Sequence, residues 1–145
     1  MSNPTFSPTH LLTSVVGINP QQREEEFDAI EYQIQLLREQ ANAENPNLKQ
    51  LQQLYCSTIM ICNNASKFGS STQILLEAEE KKVFSNDPET RAQLFSKVIL
   101  QTLEKGNHET AHELYNLSCT FKVWDNYFAI QTTVKEKLSN AGFKL

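Results

Sequence analysis

A chain of 145 residues with 39% hydrophobic, 21% charged and 9% aromatic side chains is sized for one domain that buries most of its unfolded surface. Only 4 Gly and 5 Pro exclude collagen-like and low-complexity sequence, and nothing approaches the run of about 18 apolar residues that a membrane span requires. Thirteen Lys and Arg against seventeen Asp and Glu leave a net charge of −4, without the basic block that non-specific nucleic-acid binding needs.

Residues 1–19 differ from the rest. Ser2, Asn3, Pro4, Thr5, Ser7, Pro8, Thr9 and Thr13 are poor helix formers, and the segment reads as a flexible arm before a domain over residues 20–145. Its Ser/Thr/Pro-rich composition resembles the export signals of some bacterial secreted effectors, which implies export by a specialised secretion system and action by protein binding. No Lys or Arg precedes Arg23, and Leu11-Leu12 and Val15-Val16 make no continuous apolar stretch, so a general secretory signal is not expected. Cys56, Cys62 and Cys119 contain no CxxC pair and cannot close a disulfide set, which points to reduced thiols and a cytoplasmic location.

Asn19-Pro20 opens a first helix as cap and first-turn proline. Phe27, Ile30, Ile34, Leu37 and Ala41 then step 3-4-3-4, a heptad seam widened by Tyr32 and Leu36. Asn45-Pro46 predicts the start of a second helix that Gly69 stops. Ser70 to Phe84 predicts a shorter third helix, and Asp87-Pro88 opens a fourth that ends at Gly106. Asn107 caps a fifth, and a last helix runs from about Asp125 to Gly142. No strand is predicted and no internal repeat is evident. Short turns between neighbouring elements favour an all-α antiparallel bundle of five or six helices.

The sharpest chemical motif is His108-Glu109-Thr110-Ala111-His112. Two histidines at i and i+4 on a helix reach one zinc ion, and the glutamate between them activates its water. Over these five residues the chain resembles zincin metallopeptidases, which implies zinc as cofactor, His108 and His112 as ligands and Glu109 as catalytic base. The flanks depart from that pattern. Glu113 follows His112, Tyr115 and Ser118 stand where an extended motif has Gly and His, and Glu136 is the sole later glutamate. The same stretch, Gly106 to Tyr115, looks like the turn and second helix of a tetratricopeptide hairpin, with Ala111 and Tyr115 packing inward.

Phe121, Trp124, Tyr127 and Phe128 form an aromatic group that reads as the closed end of a core. No GxSxG elbow and no Gly-rich phosphate loop is present. The expectation is therefore a non-enzymatic, adaptor-like or chaperone-like helical domain without cofactor. It binds a protein partner or its own second copy through Phe27, Ile30, Ile34 and Leu37; a zinc peptidase, and a bacterial secreted effector or effector regulator acting by protein binding, are the alternatives.

Overall fold

The computed structural model describes residues 20–145, with side chains from Ala29 onward. The predicted arm, residues 1–19, and the Phe27 side chain of the seam lie outside the described residues. Six helices appear and, among the described residues, no strand: α1 (Pro20–Ala41), α2 (Leu48–Asn64), α3 (Phe68–Glu80), α4 (Pro88–Glu104), α5 (His108–Thr120) and α6 (Phe128–Asn140). They fall into two compact units, α1 in the first and α2 to α6 in the second, Glu44–Leu145.

In the first unit, Ile30, Ile34 and Leu37 are buried while Tyr32 is exposed, as one stripe at 4-3 spacing dictates. Gln35 Nε2 donates to Glu39 on the outer face (3.3 Å). Arg38 occupies the last turn, where the helix dipole favours a cation.

The second unit is built on a repeat. Helices α2 and α4 are each 17 residues long and start at Leu48 and Pro88, forty residues apart. Helices α3 and α5 are each 13 residues long and start at Phe68 and His108, again forty apart. Each hairpin turns on a left-handed residue, Ser66 (φ 60°) in the first and Gly106 (φ 87°) in the second. Each leaves its second helix on a left-handed lysine, Lys82 (φ 56°) or Lys122 (φ 59°). The bonds match as well. Lys67 N donates to Cys62 O (2.8 Å) and Asn107 N to Thr102 O (3.0 Å). Val83 N donates to Ala78 O and Val123 N to Ser118 O, both at 3.0 Å. These are Schellman closures, repeated once more where Phe143 N reaches Leu138 O after α6.

The burial pattern repeats with the backbone. Tyr55 and Phe95, Ile59 and Ile99, Ile74 and Leu114, Val83 and Val123, and Phe84 and Trp124 are buried at equivalent positions. The sequence reading, which found no internal repeat, is thus corrected. The hairpin inferred from its turn and second helix at residues 106–115 has a structural copy forty residues earlier. Equivalent positions share burial more than identity, so the period is weak in the letters.

Several helix boundaries also move. Helix α2 starts from Asn47, whose Oδ1 accepts from Gln50 N (3.0 Å), rather than from the Asn45-Pro46 pair. It ends at Asn64 because Ser66 adopts the left-handed turn, and Gly69 lies inside α3 instead of stopping α2. Helix α3 ends at Glu80, and α6 begins only at Phe128. Asp87 caps α4 as expected, its carboxylate accepting from Thr90 N (3.2 Å) with Pro88 in the first turn.

Packing follows chain order: α2 on α3, α4 on α5, α2 on α4, α3 on α4, and α4 on α6. Helix α4 is therefore central. A buried polar link ties three helices together, since Asn63 of α2 donates to Gln101 of α4 and accepts from Ser71 Oγ of α3 (2.9 Å). Buried amides of this kind persist because each polar atom finds a partner.

Candidate functional site: a groove between the second helices

First helices stack on one another, but no pairing of comparable extent joins α3 to α5. The space between them is an open groove of about 820 Å³. Gly69, Thr72, Gln73 and Leu76 line the α3 wall; Thr110, Leu117 and Phe121 line the α5 wall. Leu117 is 37% exposed, among the largest apolar side chains left open to solvent. Thr72 Oγ1 is withdrawn from solvent with no hydrogen-bond partner.

One end of the groove gathers charges of both signs, with Lys81 as the C-cap of α3 and Lys122 directly after the C-cap of α5. Glu77, Glu79 and Glu80 lie on the last turn of α3, with Lys82 just beyond. Arg91, from the first turn of α4, grips this end. Its Nε and Nη2 donate to the two carboxylate oxygens of Glu79 (2.7 and 2.6 Å), and Nη2 also donates to Phe121 O at the C-cap of α5 (2.7 Å). A guanidinium fork suits this bidentate geometry. One side chain thus fixes the C-terminal end of α3 against that of α5.

The HExxH motif lies on the first two turns of α5. His108 and Glu109 are exposed. His112 is half-buried, and its ring stacks on Phe143 with centroids 4.3 Å apart and planes 17° from parallel. Asn107 occupies the cap position without a side-chain hydrogen bond to the helix. Among the described residues, no group of three or more His, Cys, Asp or Glu is placed to hold a metal ion. His112→Ala is expected to cost about 0.5–1.5 kcal/mol through the lost stack. Elemental analysis is expected to find no stoichiometric zinc in either protein. A zinc ion retained through dialysis by the parent and lost by the variant would restore the peptidase reading.

The seam residues Ile30, Ile34 and Leu37 are buried in the isolated chain, so a partner reaches them only by displacing what covers them. The aromatic group divides. Trp124 is buried, donates from Nε1 to Ser118 Oγ (2.7 Å) and stacks on Tyr115. Phe121 meets Phe95 edge-on, while Phe128 is 67% exposed. Burial pushes the Tyr115 hydroxyl up in pKa, and Gln131 Nε2 donates to it (3.1 Å).

The cysteines also differ in setting: Cys62 is buried, Cys56 half-buried and Cys119 exposed. Burial, with Asp87 nearby, pushes the Cys56 thiol up and away from the reactive thiolate.

Sequence reasoning missed the groove because its walls come from residues forty apart that look like ordinary solvated helix faces. Leu76, Leu117 and Phe121 are its apolar signal, and in the sequence they merge with the core stripes beside them. No helix among the described residues is long and apolar enough to cross a membrane. Comparison with protein-family models, curated proteins and solved structures finds no match for this chain.

Proposed function

We propose that the chain is a non-enzymatic protein-binding module whose partner docks in the groove between α3 and α5. The observation that carries this reading is an open groove with Leu76, Leu117 and Phe121 in its walls, Leu117 open to solvent, held between two helices that do not close on each other. Helical-hairpin repeats stack through their first helices and leave other faces free for ligands, which is how such folds serve as scaffolds. Monomeric proteins seldom leave a concave apolar surface of this kind without a use for it.

Selection of a randomised peptide library against the folded chain tests the proposal. Enriched peptides should lose binding to a Leu117→Asp variant that keeps its helical circular dichroism. No enrichment, or enriched peptides indifferent to Leu117→Asp, would remove the groove as the binding site.

A further inference from the structure

We infer that Ser85, in the turn between the two hairpins, is a phosphorylation site whose phosphoryl group is held by Lys82 and Arg91. Ser85 is exposed, and its N donates to Lys82 O (3.2 Å) in the turn that follows α3. Lys81 and Lys82, both exposed, stand four and three residues before the hydroxyl. Kinases whose substrate clefts are acidic select basic side chains at that distance upstream.

The second hairpin shows that the fold accepts an acid at this position. Asp125 stands forty residues on, after the left-handed Lys122, and its N donates to Lys122 O (3.4 Å) as Ser85 N does to Lys82 O. One copy of the repeat thus carries a permanent negative charge where the other carries a hydroxyl. The surroundings favour that charge. Ser85, Lys82 and Arg91 line one hollow of about 260 Å³, together with Glu79. The nearby carboxylates are already engaged. Both oxygens of Glu79 accept from Arg91, and those of Asp87 accept from Thr90 N (3.2 Å) and Thr90 Oγ1 (2.7 Å). A phosphoserine adds nearly two negative charges and three acceptor oxygens, which suit an ammonium and a guanidinium. In the transfer, Ser85 Oγ attacks the γ-phosphorus of a nucleoside triphosphate. The new O–P bond replaces the bond to the β-phosphate oxygen, the nucleoside diphosphate leaves, and the hydroxyl proton passes to the base of the kinase.

The full chain and a peptide of residues 79–90, each treated with labelled ATP and a serine kinase that requires upstream basic residues, test this. About one phosphate per chain is expected, mapped to Ser85 by mass spectrometry and lost in Ser85→Ala. Lys81→Ala with Lys82→Ala should slow incorporation about tenfold. Val83 and Phe84, buried between the lysines and the hydroxyl, should make the folded chain a slower substrate than the peptide. Phosphorus NMR then reads the contacts, since neighbouring cations favour the dianion. The phosphoserine of the folded chain should titrate about half a unit below that of the peptide. A full chain left unphosphorylated, whatever the peptide does, or incorporation that persists in Ser85→Ala, overturns the site. Coincident titrations of chain and peptide overturn the role of Lys82 and Arg91.

Discussion

Phe95→Ala is expected to destabilise the protein by about 3–5 kcal/mol, the range for removing a buried aromatic ring from a packed core. Phe95 is 1% exposed and lies midway along α4, the helix that touches α2, α3, α5 and α6. Its ring meets Phe121 edge-on with centroids 6.5 Å apart, so the cavity would open beneath the α5 wall of the groove as well. Small domains are stable by only about 5–15 kcal/mol, so the loss takes a large fraction of the total. Denaturant unfolding followed by circular dichroism measures it. A loss under about 1 kcal/mol would mean that the hairpins are held together elsewhere.

Arg91→Ala is the next largest effect, expected near 2 kcal/mol, because it removes two charge-assisted bonds to Glu79 and one to the Phe121 carbonyl. The pair is 20% exposed on each side, which keeps the figure below that of a fully buried ion pair. Arg91→Lys should recover little of the loss, since an ammonium cannot present two parallel donors and reach the carbonyl as well. The same unfolding measurement on both variants decides this. Full recovery by lysine would reduce the interaction to simple charge attraction.

The helical class was legible because three kinds of signal agreed: apolar spacing near 3.6, cap residues before Pro20 and Pro88, and glycines at 106 and 142. The two helix ends that slipped, those of α2 and α3, share one cause. Ser66 and Lys82 take the left-handed conformation that glycine usually signals, so those helix ends carry no compositional mark. The repeat was hidden for a related reason. Burial tolerates Tyr55 for Phe95 and Cys62 for Thr102, and such exchanges erase letter identity while keeping the core. The clearest trace is a short one, Lys82-Val83-Phe84-Ser85-Asn86 against Lys122-Val123-Trp124-Asp125-Asn126, the segment that links a hairpin to the next first helix.

The candidate site was less legible than the fold. His108, Glu109 and His112 drew attention because they form a compact motif, whereas a groove made by the spacing of two helices leaves no motif at all. Of the seam read on α1, Ile30, Ile34 and Leu37 are buried, while Tyr32, expected to widen it, is exposed. Periodicity reports that a face is covered; it does not say by what.

Stacking through α2, α4 and α6 means that nearly every contact joins elements close in sequence. Chains wired this way spend little entropy on closing long loops before contacts begin to reward them, so folding should be fast and able to start within either hairpin. Opening should then be graded along the array. Helix α6, resting chiefly on α4, exchanges its amide hydrogens first, and α4, held from several sides, exchanges them last.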